Sequence, residues 1–384
     1  MKKTLAILLA RVMVFALCAC GQTAAPAEEK PMEEKPMEEM PMEASSLKVG
    51  VFYYTYGDTY ISSVRSALDA ELTAKGITFQ DYDSNNNQTT QNEQIKTAIT
   101  DGYNLLVVNM VTSGSPDVAK EIISMANGVP VVFFNRAIEA DGEEGTVLNA
   151  NPGICFIGTD APEAGHLQGK MVGEYVLANY DAVDLNGDGV ISYALMKGDE
   201  ANVEAIYRTQ YGVEDANAVL EAAGKPALVY FDDKNETGYQ VDLNGAWSAQ
   251  AAQDYMQTNL SQYNEANNNM IELIICNNDN MAEGCISALE TAGFNTGDGG
   301  KTIPVFGVDA TESAQELIKA GKMTGTVKQD AEGMAKAIAN TVEAVGAGST
   351  MADALAAIVS SADMYSLAEG ISNKLFVAYA PYTA

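Results

Sequence analysis

From residue 47 onward, short apolar runs alternate with longer amphipathic ones. The runs at 47–53, 105–109, 130–134, 191–196, 227–231, 271–276 and 303–308 are rich in Val, Ile, Phe and Tyr and predict buried strands. Helical periodicity fits the stretches between them. Ile61, Val64, Leu68 and Leu72 form one apolar stripe, with Gly76 placed as its stop. Helices are also predicted over 88–101, 116–127, 161–180, 202–223, 247–259, 280–292, 312–320 and 331–346. Strict alternation of strand and helix implies an α/β protein whose parallel sheets are covered by helices on both faces.

The strands are too many for one small sheet, and the 384-residue length suggests two domains. A repeated phrase supports that division. Val129-Pro130-Val131-Val132-Phe133-Phe134-Asn135 in the first half matches Ile303-Pro304-Val305-Phe306-Gly307-Val308-Asp309 in the second. Each puts a polar residue just past the C-terminal end of a strand, which is where doubly wound sheets bind ligands. Two such edges facing one another would make a cleft.

The first 46 residues follow a different pattern. Lys2-Lys3 precedes an apolar stretch from Leu5 to Ala19 broken by Arg11, which predicts a secretory signal over 1–19. The stretch is too short for an ordinary membrane-spanning helix. It ends Leu17-Cys18-Ala19-Cys20-Gly21, resembling the bacterial lipobox, in which Cys20 would be acylated and anchor the chain. Residues 20–46 repeat Glu28-Glu29-Lys30-Pro31-Met32 as Glu33-Glu34-Lys35-Pro36-Met37, the signature of an extended acidic linker.

Charge narrows the possible partners. The chain has 22 Lys and Arg against 52 Asp and Glu, a formal net charge of −30. Removing residues 1–19 takes away Lys2, Lys3 and Arg11 and no acid, giving −33. That field repels nucleic-acid phosphates and anionic lipid heads. A neutral or cationic ligand fits best, and the only expected membrane contact is the lipid anchor. His166 is the single histidine, which excludes a multi-His zinc site. Cys155 and Cys276 lie on apolar runs, and with Cys285 they make an odd set of three, which favours buried thiols over a designed disulfide framework.

Polar residues recur at the predicted strand ends: Asp58, Asn135, Asn278 with Asp279, and Asp309. Asp and Asn are favoured helix caps, so each has a structural explanation when taken singly. Their repetition at one architectural point favours a ligand role. Carboxylates accept and amides donate and accept, which suits a hydroxyl-rich molecule. Tyr60 and Trp247, each at a predicted helix start, could pack on the C–H face of a sugar. A separate loop, Asp184-Leu185-Asn186-Gly187-Asp188-Gly189-Val190-Ile191-Ser192, matches the opening of an EF-hand calcium loop. Position 12 is Leu195 rather than Glu, so a missing carboxylate would have to come from elsewhere.

Together these motifs resemble the bacterial periplasmic sugar-binding proteins of ABC transporters, of the ribose and galactose type and nearest to galactose/glucose binders. The resemblance rests on Tyr54-Thr55-Tyr56-Gly57-Asp58-Thr59-Tyr60, Ile157-Gly158-Thr159-Asp160, Lys197-Gly198, Asn277-Asn278-Asp279 and Gly325-Thr326-Val327, beside the strand phrases and the Asp184 loop. It implies a type I periplasmic binding fold of two doubly wound parallel-sheet lobes joined by a three-strand hinge. The first lobe would take 47–158 and 331–378, and the second 160–327 and 380–384.

The resemblance also implies site residues. Asp58 and Asn135 would bind hydroxyls from the first lobe, and Arg208, Asn278 and Asp309 from the second, with Tyr60 and Trp247 as the rings of a sandwich. Asn202, Glu204 and Gln329 stand where the family has His, Asp and Asn. The longer Glu and Gln shorten the pocket by about one methylene each, worth roughly 1–3 kcal/mol in a fitted site. A calcium ion would be held by Asp184, Asn186, Asp188, the carbonyl of Val190, Ser192 and the distant Glu272. The expected protein is a monomer that closes on a monosaccharide and is read by an ABC permease. A sensory module feeding a chemoreceptor or histidine kinase is an alternative, and a glycoside hydrolase built on Asp58 and Asp309 a more distant one. Against the hydrolase, Arg208 is expected to hold the pocket carboxylates ionised.

Overall fold

The computed structural model describes residues 47–297 and 299–384. The predicted signal at 1–19, Cys20 and the acidic linker to residue 46 lie outside the described residues. The folded chain begins β1 (Lys48–Tyr53), α1 (Thr59–Ala74), β2 (Thr78–Asp83), α2 (Gln88–Thr100), β3 (Leu105–Val108), α3 (Pro116–Ala126), β4 (Val131–Phe134) and β5 (Ile154–Gly158). It continues α4 (Ala161–Ala178), α5 (Tyr180–Val183), β6 (Ser192–Lys197), α6 (Val203–Ala222), β7 (Val229–Tyr230), β8 (Gln240–Val241), α7 (Ala249–Gln262), β9 (Leu273–Cys276) and α8 (Asp279–Thr291). It closes β10 (Val305–Asp309), α9 (Glu312–Lys319), β11 (Gly325–Lys328), α10 (Ala331–Gly346), α11 (Met351–Val359), β12 (Tyr365–Ala368), β13 (Ile371–Val377) and β14 (Ala380–Tyr382).

Two sheets organise these elements. One has the order β12-β13-β5-β4-β3-β1-β2, and the other β14-β11-β10-β9-β6-β7 with β8 also on β6. The strand period explains why both faces are covered. Val49, Val51, Leu105 and Val107 pack with Ile61, Leu68, Ile338 and Leu355 on one face of the first sheet. Phe52, Leu106, Val108 and Phe133 pack with Ile95 and Ile122 on the other. Strands buried on both sides read as continuous apolar runs, which is why they were visible in the sequence.

The differences from the expected pattern fall at the edges and at the interior strands β5, β11 and β13, which lie outside the seven predicted runs. β2 carries Thr78, Gln80, Asp81 and Asp83 and is only partly buried, so it lacks the apolar run of a central strand. The run at 227–231 forms only the two-residue edge strand β7. β12 pairs antiparallel with β13, and β11 with β14, so neither sheet is wholly parallel. α11 was not predicted either.

The chain crosses between the sheets three times. It leaves β5 through Thr159 into α4, returns from β11 through Gln329 into α10, and leaves β13 through Tyr379 into β14. Cys276 and Cys285 are buried in the second lobe with their Sγ atoms 3.8 Å apart, well beyond a disulfide bond. No helix among the described residues is long and apolar enough to cross a membrane.

α6 is placed by unusually close packing on α4. Gly165, Gly169 and Gly173 recur every fourth residue on α4, and a Cβ at any of them would overlap α6 at Tyr207, Tyr211, Asp215, Ala216 or Val219. At Gly169 the obstruction is the backbone carbonyl of Tyr211, which cannot rotate away. Gly169→Ala is therefore expected to cost about 1–3 kcal/mol despite alanine's better helix propensity. Urea unfolding followed by circular dichroism measures this, and an unchanged or higher midpoint would contradict the close approach.

Candidate binding site between the lobes

The ten residues singled out as ligand-binding from the sequence all line one chamber between the lobes: Asp58, Tyr60, Asn135, Asn202, Glu204, Arg208, Trp247, Asn278, Asp309 and Gln329. Tyr54, Ile61 and Arg136 line it too and were missed. The signal for Arg136 was present, since it directly follows Asn135 at a strand end. The partnership of Tyr54 with Asp58 required the intervening turn.

Several of these side chains cap a helix and face the chamber at once. Asp58 Oδ1 accepts from the Ile61 amide at 2.8 Å, capping α1, while Oδ2 accepts from the Tyr54 hydroxyl at 2.7 Å. Asn202 Oδ1 caps α6 through Ala205 N at 3.1 Å, and Asn278 Oδ1 caps α8 through Met281 N at 3.0 Å. Asn135 Oδ1 accepts from Asn109 Nδ2 at 3.2 Å. Each of the three amides is held through its oxygen, so its NH2 is the group left for a ligand. Asp279 is different. Its carboxylate accepts from Thr326 Oγ1 at 2.6 Å and Thr311 N at 2.9 Å, so it braces β10 and does not line the chamber.

Backbone strain positions three of the chamber residues. Asn135 has φ 59°, Trp247 φ 55° and Asp309 φ 127°, a conformation disfavoured for side-chain-bearing residues and concentrated at functional sites. Trp247 does not open a helix as expected. α7 starts at Ala249 with Ser248 as its cap, and the left-handed turn before it lays the indole against Gly198. A Cβ at Gly198 would overlap the ring, so a glycine is required there. Tyr60 lines the chamber from the other lobe, with its hydroxyl 3.7 Å from Met334 Sδ in the core.

Arg208 stands at the centre. Its Nη1 donates to the Asn277 carbonyl at 2.9 Å, and Nη2 donates to Gln329 Oε1 at 3.1 Å and Tyr379 Oη at 3.0 Å. Tyr379 Oη is in turn 2.9 Å from Thr159 Oγ1. Burial works against the Arg208 charge, but Tyr379, Asp309 and Glu204 outweigh it and raise its pKa. The reverse influence is weaker than expected. Burial raises the Asp309 carboxyl well above its ordinary value, with Arg208 opposing and Asp279 and Asp58 adding to the rise. Burial likewise raises Glu204 against the pull of Arg208. At both carboxyls, loss of solvation outweighs the attraction of the one shared cation.

The chamber contains buried polar atoms without partners. Glu204 Oε2, Arg208 Nε and Gln329 Nε2 make no hydrogen bond. Leaving such atoms unmet costs about 1–3 kcal/mol each, so they are poised for a ligand that both donates and accepts. Direct contacts hold the lobes together around them. Arg136, whose Cζ lies 4.2 Å from the Tyr54 ring centroid of its own lobe, pairs through Nη2 with Asp199 Oδ2 at 3.1 Å, and Asn86 Nδ2 donates to the Asn244 carbonyl at 3.1 Å. Tyr207 also donates to Asp141. The free volume is about 40 Å³, room for a few water molecules.

The loop at 184–192 lies in the second lobe, away from this chamber. Gly187 and Gly189 have φ 72° and 83°, which permits the tight turn. Asp184 accepts from the amides of Asp188 and Gly189 at 3.1 and 2.9 Å, and Asp188 from that of Val190 at 2.8 Å. Glu272 reaches the loop as expected, accepting from Leu185 N at 2.8 Å, Asn186 N at 3.1 Å and Ser192 N at 3.0 Å. The hydroxyl of Ser192 donates to the Met270 carbonyl and keeps its oxygen lone pairs. Among the described residues, no group of three or more His, Cys, Asp or Glu side chains is gathered as a metal site. The donor set is nonetheless all oxygen, the chemistry that suits calcium.

The chain is 34% identical over 298 residues to the D-galactose/methyl-galactoside binding periplasmic protein MglB of Haemophilus influenzae, a match covering 77% of this chain and 80% of that one. Solved structures share the fold. An ABC transporter solute binding protein from Bacillus halodurans with bound myo-inositol has a TM-score of 0.64 and 21% identity, over 89% of this chain and 96% of that one. One from Clostridium phytofermentans with bound β-D-glucose has a TM-score of 0.64 and 19% identity, over 88% and 94%. A family model described as a periplasmic binding protein domain matches residues 49–350, and the chain belongs to that family.

Proposed function

We propose that this protein is the extracytoplasmic sugar-binding component of an ABC transporter. It takes a monosaccharide of the D-galactose/D-glucose type into the interlobe chamber and presents the closed form to a membrane permease. The observation that carries the reading is the set of unpaired buried atoms on Glu204, Arg208 and Gln329, in one chamber with Asp309 and with Asp58 of the opposite lobe. Sugar hydroxyls donate to the carboxylates and accept from Arg208 and the amides, which answers both kinds of need. The name of the Haemophilus influenzae relative supports the galactose type. The hydrolase alternative is set aside, since the matched relatives are binding proteins of transport. Acylation at Cys20 would tether the protein at the membrane, and the acidic linker would let the folded part reach its permease. A chemoreceptor reading the same closed form would need no different site residue.

Closure follows from contacts made to both lobes, because a ligand shifts an equilibrium only by its differential affinity for the two states. Isothermal titration of D-galactose and D-glucose is expected to show saturable binding, accompanied by a change in the fluorescence of Trp247. Asp309→Ala removes a buried hydrogen-bonding partner and is expected to weaken binding by about 100-fold or more. Absence of heat with every aldohexose and pentose would remove the sugar assignment.

We also propose a structural calcium ion at the 184–192 loop, held by Asp184, Asn186, Asp188, the Val190 carbonyl, Ser192 and Glu272. The support is the all-oxygen donor set and the approach of Glu272 to the loop. An ion that binds only the folded state at 100 times its Kd adds about 2.7 kcal/mol. Chelation of calcium-loaded protein is expected to lower Tm by roughly 5 °C. Asp188→Ala should abolish that difference, and an unchanged Tm after chelation would count against the ion.

A further inference from the structure

Away from the chamber, the unmet buried polar atoms of the first lobe gather under α1. Asp81 stands on the edge strand β2 and pairs in register with Val51 of β1. Val51 packs on the face that α1 covers through Val64 and Leu68, so Asp81 points inward, toward the helix. Asp69 reaches down from α1, one residue past Leu68. The two carboxyls lie within hydrogen-bonding reach of each other. The groups facing them are Tyr53 at the end of β1, Tyr56 in the loop after it and Arg65 one turn earlier on α1. Asp83 faces Tyr56 and is already committed, accepting from the amides of Tyr56 and Asn85 at 3.2 and 2.8 Å.

Four atoms in this group have no hydrogen-bond partner: Asp69 Oδ1, Asp81 Oδ1, Arg65 Nε and Tyr53 Oη. Tyr53 is fully buried. Arg65 lies over the Tyr56 ring, with Cζ 4.0 Å from the centroid, and gives no hydrogen to either Oδ1. An inward acid on an edge strand deters another chain from pairing there, but one acid meets that need and does not explain two in contact. Two ionised carboxylates offer only acceptors, so their contact is repulsive until one of them carries a hydrogen. Burial raises both carboxyls. At Asp69 the hydrogen bond with Asp81 and the Arg65 charge oppose the rise; at Asp81 the charge and hydrogen bond of Asp69 add to it against Arg65, and carry it up to about 7.

We propose that Asp69 and Asp81 share one proton, which fastens α1 to the edge of the first sheet and makes the stability of this lobe respond to pH. The proton supplies the donor that the two acids lack, and its loss leaves two negative charges side by side with one arginine. By linkage, the unfolded chain releases this proton near pH 4 and the folded pair near pH 7. The fastening is therefore complete below about pH 4, weakens as pH rises, and is lost above about pH 7. It depends on neither the sugar nor the calcium reading.

The test is thermal unfolding of the full folded protein across this pH range at one fixed calcium concentration. Asp81→Asn supplies a permanent donor in place of the shared proton. Its Tm minus that of the wild type is expected to rise by about 2 °C or more between about pH 5 and pH 8. Other buried carboxyls titrate in both proteins and cancel from this difference. Asp69→Asn is expected to behave alike. Asp117→Asn, at an exposed acid, should give the same difference at both pH values. Carbon-13 NMR titration of the assigned wild-type carboxyls reads the proton without any variant, and Asp81 or Asp69 is expected to titrate near pH 7. A Tm difference that stays constant with pH in both asparagine variants would overturn the proposal, as would two carboxyls that both titrate near pH 4. A difference that follows added sodium or calcium instead of pH would also overturn it, since a bound cation would then join the acids.

Discussion

One buried guanidinium ties the hinge to the chamber. Arg208 donates to Gln329 on the second crossing and to Tyr379 on the third, and Tyr379 reaches Thr159 on the first. The same side chain faces Asp309 and Glu204 and leaves Nε unpaired. A buried cation of this kind is tolerable only while its hydrogen bonds and counter-charges hold. The arrangement of the three crossings is therefore a condition for the charge at the centre of the site, and a ligand that meets Nε acts directly on the group that joins them. α6, which carries Arg208, owes its position to the glycine stripe of α4.

The acidic side of the site follows from the same constraint. Asp58 and Asp309 approach from opposite lobes, and Asp58 adds to the cost of ionising Asp309 when water is excluded. One arginine does not offset that cost. Closure is then a balance between interlobe contacts such as Arg136 with Asp199 and the penalty of bringing carboxylates together. A hydroxyl-rich molecule changes the balance by donating to both acids, which connects capture of the ligand with movement of the lobes.

Helix capping and ligand contact, weighed as competing explanations from the sequence, turn out to be compatible. Asp58, Asn202 and Asn278 spend one oxygen on a helix start and keep the other end of the side chain in the chamber. The cap fixes the rotamer, so the polar group facing the cleft is held in place before any ligand arrives. Asp279, next in sequence to Asn278, has the same chemistry but turns to Thr326 and Thr311 and serves the fold alone. A one-residue step at the start of a helix sends the side chain in another direction, which composition and position along a strand could not reveal.

The sequence by itself determined the α/β class and most of the central strands, because residues buried on both faces must be apolar in consecutive positions. It also marked the polar residues that meet in the chamber, through their repetition at strand ends and their family resemblance. It overstated β7 and did not reveal β2, whose edge positions relax that demand, nor β13 and its antiparallel pairing with β12. Only the tertiary structure decided the roles of Tyr54 and Arg136, the strained backbone of Asn135, Trp247 and Asp309, and the hydrogen bond of Ser192 to Met270. These depend on contacts between segments far apart in the chain, and on how burial weighs against charge once those segments meet. Local pattern records which residues are apolar or polar; it does not record which polar atoms find a partner.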